Sequence, residues 1–194
     1  MQPKVVSVAS INIDEVYRVP HVVQPGETVS STGLQRSAGG KGANASVAAA
    51  RAGAQVYVAG KIGSDGLWVR DVIASAGADV SLVAVLADTP TGRAVIQVDP
   101  RGENAIFLFP GANHRLTADD VRQALAQCGP GDWLLLTNET TGVAEAIGHA
   151  RRCGMQVLWN PTPMPADLVS SGLPLDLPDV LVLNEGELLA LARQ

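Results

Sequence analysis

The stretch Ala38-Gly39-Gly40-Lys41-Gly42-Ala43-Asn44-Ala45-Ser46-Val47-Ala48-Ala49-Ala50-Arg51-Ala52-Gly53 decides how this chain is understood. Its first three glycines open backbone conformations closed to other residues and let a ligand approach the main chain. Residues 43–52 are nearly all alanine, a composition that forms helix strongly, and Gly53 supplies the stop. A glycine loop feeding a helix offers free N–H groups and the positive end of the helix dipole. Lys41 and Asn44 add a charge and a two-way hydrogen-bonder at that mouth, which favours a polar ligand over a bare turn. Two phosphate loops do not fit. A P-loop needs Ser or Thr directly after its Lys, where this chain has Gly42. The run Gly40-x-Gly42-x-x-Ala45 matches the loose dinucleotide fingerprint, but that fingerprint follows the first strand of a βαβ unit directly. Here the first strand candidate ends far upstream.

That upstream strand is residues 5–11, a short β-branched run suited to a buried parallel strand. Asn12 and Asp14 follow at its carboxyl end, on one face if extended; an Asn/Asp turn cap also accounts for such a pair. Residues 16–23 and 28–35 flank the turn Gln24-Pro25-Gly26-Glu27, so a hairpin standing off the main sheet is expected. Beyond Gly53 come a strand at 56–62, a loop at 63–66 and an amphipathic helix at 67–76 closed by Gly77. Three extended runs follow at 80–86, 92–98 and 104–109. The turn Asp99-Pro100-Arg101-Gly102-Glu103 makes the last two a second hairpin, expected to pair with the first as a lid.

Thr117-Ala118-Asp119-Asp120 resembles a capping box ahead of Val121, Leu125 and Cys128 at helical spacing. Residues 133–137 form a buried strand that delivers Asn138 and Glu139. A helix at 143–153 and a strand at 155–159 lead to Asn160-Pro161, and a strand at 180–183 delivers Asn184-Glu185-Gly186-Glu187 before a helix from Leu188. This alternation predicts a doubly wound α/β fold, a parallel sheet covered by helices on both faces. Ligands bind outside the carboxyl ends of such strands. Polar groups at four of those ends point to one site.

Composition narrows the function. A length of 194 residues suits one well-packed α/β domain and is short for two. With 46% hydrophobic residues the chain can build a core. A net charge of −5 and a pI near 5.1 leave no basic patch, so nucleic acid is not an expected partner. No stretch resembles a membrane span, and Met1-Gln2-Pro3-Lys4 runs into a strand rather than a signal peptide, so a cytoplasmic protein without membrane contact is expected. Cys128 and Cys153 then count as ordinary thiols, not a metal site or a disulfide framework.

Taken together, Ser10-Ile11-Asn12-Ile13-Asp14, Pro25-Gly26-Glu27-Thr28-Val29, Gly39-Gly40-Lys41-Gly42-Ala43-Asn44, Gly111-Ala112-Asn113, Asn160-Pro161 and Asn184-Glu185-Gly186-Glu187 resemble the ribokinase, or PfkB, family of carbohydrate and nucleoside kinases. The similarity covers essentially the whole chain. It implies one ribokinase-like domain over 1–194, with a projecting β-lid from segments near 14–37 and 90–110 that also serves a homodimer. It implies ATP-dependent phosphorylation of a small-molecule sugar, ribose foremost. Sugar hydroxyls would be held at Asn12, Asp14, Gly39, Gly40, Lys41, Asn44 and Glu139. Asn184 and Glu187 would position the phosphates, with Glu187 reaching Mg²⁺ through water, and full-length family members also use a monovalent cation. A site that hydrogen-bonds every hydroxyl rejects analogues lacking one.

One departure stands against turnover. The family's Gly-Ala-Gly-Asp string, which supplies the anion hole and the base, does not occur in these residues. Phosphoryl transfer depends on positioning and on charge stabilisation, so a chain with the sugar half alone should bind without turning over. The corresponding expectation is a C-terminally incomplete kinase with an apolar sheet edge near 180–183. The alternative is a non-catalytic sugar-binding or interaction module.

Overall fold

The computed structural model describes residues 2–165 and 171–193. In chain order its elements are β1 (Lys4–Val8), β2 (Asn12–Arg18), β3 (Gly33–Gly39), α1 (Lys41–Arg51), β4 (Gln55–Gly63), α2 (Leu67–Ser75), β5 (Asp79–Leu86), β6 (Gly92–Val98), β7 (Asn104–Phe109), α3 (Ala118–Leu125), β8 (Trp133–Thr137), α4 (Val143–Arg152), β9 (Gln156–Asn160), β10 (Val180–Leu181) and α5 (Glu185–Leu191). Short 3-10 turns at Ser64–Gly66 and Gly111–Arg115 punctuate them. Six strands make a parallel sheet in the order β10-β9-β8-β1-β4-β5, as the alternation of strands and helices predicts.

Two cores cover its faces. On one, Val6, Val8, Leu134, Leu136 and Trp159 pack against Val121 and Leu125 of α3 and Ile147 of α4. On the other, Val56 and Val58 meet Ala43 of α1 and Val69 and Ile73 of α2. Leu134, Leu136 and Ile147 are fully shielded, each worth roughly 1.5–3 kcal/mol relative to exposure. The small side chains of α1 let it lie close. A Cβ on Gly42 would stand 2.6 Å from the Ala9 Cα, so glycine is required where the helix start touches the link after β1.

A second sheet runs β3-β2-β6-β7, with β2 antiparallel to β3, parallel to β6, and β7 antiparallel to β6. Its strands correct the sequence expectation. The first hairpin is closed at its root, with Asn12 opposite Gly39, rather than beside the Gln24–Glu27 turn. Pro20 and Pro25 cannot donate to a ladder, so pairing stops at Arg18 and a loop carries residues 19–32. The turn survives within it, with the Glu27 N–H donating to the Gln24 carbonyl at 3.0 Å.

Likewise β1 ends at Val8, because Ser10 and Ile11 turn their backbone groups to other partners. The Ser10 carbonyl accepts from Ala43 N–H at 3.0 Å, and Ile11 N–H donates to Asn113 Oδ1 at 2.9 Å. The box at Thr117 forms as predicted: Thr117 Oγ1 accepts from Asp120 N–H at 3.2 Å, and Asp120 Oδ2 accepts from Thr117 N–H at 2.7 Å. The last helix begins at Glu185, three residues earlier than its apolar pattern suggests, and β10 has two residues.

Candidate functional site

The order of the main sheet reverses between β1 and β8, and a crevice opens at such a reversal beyond the carboxyl ends of the strands. Three elements fill it here. Ser10 follows β1, Glu139 lies just past β8, and α1 starts at Lys41. Glu139 is 7% exposed. Its Oε2 accepts from the Ser10 hydroxyl at 2.7 Å and from Lys41 N–H at 3.0 Å, while Oε1 accepts from Lys41 Nζ at 2.8 Å. Ser10 Oγ in turn accepts from Gly42 N–H at 3.1 Å. The N–H groups of Lys41, Gly42 and Ala43 are therefore all taken within the chain. This corrects the expectation of free donors at the helix mouth. A buried carboxylate from the end of β8 already faces the dipole.

Asp14 differs in kind. It stands on β2 beside Gly39 and is half-buried, yet among the described residues no hydrogen bond or ion pair reaches its carboxylate. A Cβ at Gly39 would lie 2.1 Å from that carboxylate, so glycine there makes its room. Burial raises the Asp14 pKa above its ordinary 3.8, the charge of Glu139 raises it further, and the Lys41 ammonium opposes both. Half-burying a carboxylate without donors is costly, and it leaves acceptor capacity that a hydroxyl-bearing ligand supplies.

Asn12 shares that face and is 4% exposed. Its Oδ1 accepts from Asn113 Nδ2 at 2.7 Å, which leaves its own amide group to donate. Gly40, at φ 95°, lets the chain pass directly against Ser10: a Cβ there would stand 2.5 Å from the Ser10 carbonyl. Lys41 and Asn44 are exposed on the first turn of α1. The fold thus brings Asn12, Asp14, Gly39, Gly40, Lys41, Asn44 and Glu139 to the junction of β2, β3 and α1.

Asn184 and Glu187 belong to a separate place, past β10. They form a capping box for α5: Asn184 Oδ1 accepts from Glu187 N–H at 2.8 Å, and Glu187 Oε2 accepts from Asn184 N–H at 2.9 Å. The Thr162 hydroxyl donates to Glu187 Oε1 at 2.5 Å. Among the described residues no cluster of three or more His, Cys, Asp or Glu is placed to hold a metal. A single carboxylate fits a magnesium ion that keeps most of its own waters, and no more than that.

Ser10, Asn113 and Thr162 acquire roles that local sequence does not disclose. Ser10 meets Glu139 across 129 positions, so its part is settled by topology alone. No helix among the described residues is long and apolar enough to cross a membrane.

Known proteins with this architecture agree on what it is. A sequence profile for the pfkB family carbohydrate kinase matches residues 2–194. The ribokinase of Haemophilus influenzae is 40% identical over 191 residues, covering 96% of this chain and 61% of that protein. The structure of ribokinase from Cryptococcus neoformans var. grubii serotype A in complex with ADP superposes with a TM-score of 0.86 at 39% identity, covering 98% of this chain and 60% of the other. Arabidopsis thaliana ribokinase complexed with ribose and ATP superposes with a TM-score of 0.80 at 28% identity, covering 98% and 63%. The chain spans about 60% of the length of these relatives.

Proposed function

Because this chain belongs to the pfkB family of carbohydrate kinases, we propose that its crevice between β1 and β8 holds ribose for ATP-dependent phosphorylation to ribose 5-phosphate. The observation that carries this reading is Asp14, a half-buried carboxylate with no hydrogen-bond or ion-pair partner among the described residues, beside a lysine and two asparagines. Asp14 accepts from two vicinal hydroxyls, the Asn12 amide donates, and Asn44 does either. Gly39 and Gly40 let the sugar approach the backbone. Lys41 reaches the sugar while remaining paired with Glu139, whose own oxygens hold the start of α1 in place.

ATP and Mg²⁺ are the co-substrate and cofactor in this proposal. Asn184 and Glu187 lie on the phosphate side, and the ion would supply charge neutralisation there. The second sheet acts as a lid over the sugar through its segments near 14–37 and 90–110. Leu34, Ile106, Phe107 and Phe109 are exposed on it, which favours a homodimer built through that sheet. A cytoplasmic location is part of the same proposal.

A second reading rests on a specific observation: these 194 residues contain no Gly-Ala-Gly-Asp string. Binding and turnover are then separable, and the chain serves as a sugar-binding module. ATP-to-ADP conversion with magnesium, with and without ribose, distinguishes the two. Ribose-dependent ADP release establishes the kinase. Ribose binding with no ADP release establishes the binding module. Neither, across a panel of pentoses and hexoses, overturns both.

A further inference from the structure

The second sheet meets the main sheet through a chain of charges that the sugar crevice does not use. Glu15 neighbours Asp14 on β2 and faces the opposite side, its side chain 8% exposed. Glu15 Oε1 accepts from Arg93 Nη1 at 2.8 Å and pairs with Arg36 Nε at 3.0 Å. The other terminal nitrogen of Arg93 donates to Asp65 Oδ2 at 2.7 Å. Asp65 lies in the 3-10 turn directly after β4 of the main sheet. Its Oδ1 accepts from Thr91 Oγ1 at 2.7 Å and from Thr91 N–H at 3.0 Å, and Thr91 Oγ1 accepts from Gly63 N–H at 2.9 Å.

One path therefore runs from β3 through β2 and β6 to the end of β4. Among the described residues, Arg93–Asp65 is the one ion pair that crosses between the two sheets. The arrangement depends on the guanidinium fork, because two nitrogens in fixed geometry bind two separate carboxylates; a lysine ammonium has no such reach.

We infer that Arg93 is a positioning residue: it fixes the tilt of β2 and so sets Asp14 against Lys41 and Glu139, making affinity for an uncharged sugar depend on ionic strength. This rests on the proposed sugar site. The two halves of the bridge differ in strength. Within the second sheet Glu15 is buried, and although its partner Arg36 is 61% exposed, the backbone ladders of β2 with β3 and β6 hold the strands whatever the salt. The Arg93–Asp65 pair is about a third exposed, 29% and 33%, and is open to screening. Salt therefore loosens the crossing between sheets before it loosens the second sheet itself. A neutral ligand has no charge of its own for salt to screen, but the Lys41–Glu139 pair in the crevice, 42% and 5% exposed, also feels salt, so the clamp is read from the part of the salt response that Asp65→Asn removes.

The test is calorimetric titration of ribose at about 0.02 M and about 0.5 M NaCl, a range over which the screening length falls severalfold. Wild-type affinity is expected to weaken with salt. Arg93→Ala is expected to bind about tenfold more weakly at low salt, within the range by which coupled residues shift affinity, and to lose most of the salt response. Asp65→Asn keeps Oδ1 for Thr91, removes the acceptor for Arg93, and should reproduce both effects with an intact fold.

Hydrogen exchange provides a readout that needs no ligand: both variants should speed exchange in β2 and β6 and leave β1, β8 and β9 unchanged. Wild-type affinity indifferent to salt, or variants that bind and exchange as wild type does, would overturn the inference. If wild type bound no sugar, the site assignment would fail, while the exchange pattern would still decide whether Arg93 clamps the sheets.

Discussion

Ser10 and Asp14 lie four positions apart and show opposite electrostatic economies. Ser10 is fully buried and uses its hydroxyl twice, as donor to Glu139 and acceptor from Gly42. Ser10→Ala strands the Gly42 N–H and removes a donor from Glu139, so a loss of about 1–3 kcal/mol is expected in denaturant unfolding. Asp14 has no donor among the described residues, and its pKa is raised by burial and then by Glu139. For an acid, a raised folded-state pKa means that the native state holds the proton more firmly than the unfolded chain does. That stabilisation is complete below the ordinary 3.8 and disappears as pH rises through the raised value. Ionised Asp14 therefore costs the fold stability at neutral pH. Asp14→Asn should melt at or above the wild-type temperature at pH 7 in calorimetry, and the difference should close as pH falls. Asn12 and Asp14 were legible as polar groups sharing one face, but the sequence set them beyond the first strand and not within β2, where they stand. The Ser10–Glu139 bond was not, since no local pattern reports a partner 129 positions off.

The start of α1 shows why glycine spacing alone misleads. The string Gly39-Gly40-Lys41-Gly42 correctly announces a close approach, but what approaches is Ser10 and Glu139 of the same chain. Two glycines with similar φ show how surroundings change the requirement. Gly40 has φ 95° with a would-be Cβ 2.5 Å from a carbonyl, whereas Gly53 has φ 92° with nothing within 4 Å. Gly53→Ala should cost only the left-handed penalty, about 1–2 kcal/mol. Gly40→Ala should cost clearly more in urea unfolding, because φ 95° with ψ 129° lies outside the left-handed helical region and its Cβ would also meet the Ser10 carbonyl. The first hairpin moved for a comparably concrete reason: Pro20 and Pro25 close the ladder, so the strands pair at their roots, where Asn12 and Asp14 stand. At the other end, Asn184 and Glu187 satisfy the local rule for a helix cap in full. Nothing in their spacing distinguishes that role from phosphate positioning.

Across the whole molecule, alternation of strands and helices was enough to place the parallel sheet, and both cores follow from which strand residues face which helices. The order of strands, with its reversal between β1 and β8, is a property of long-range packing and was not legible. Charge also acts globally. At Asp179 the Val157 N–H holds the carboxyl low, and Arg151 assists. At Asp65 and Asp120 burial pushes upward, but hydrogen bonds from Thr91 and from Lys61 and Thr117 outweigh it and hold both below 3.8. A lowered acid pKa contributes stability above 3.8 that is lost as pH falls through the folded-state values. Acid titration of the melting temperature should therefore show a steep fall beginning near 3.8, in the sense opposite to the Asp14 contribution.

Sugar binding in this crevice turns on Asp14. The most direct measurement is calorimetric titration of ribose into wild-type and Asp14→Ala protein, with the melting temperature of each recorded. Wild type should bind, and the variant should show no binding while melting within a few degrees of wild type. Undiminished ribose affinity in the variant would contradict the account, and would reduce Asp14 to a strand residue with no part in a sugar site.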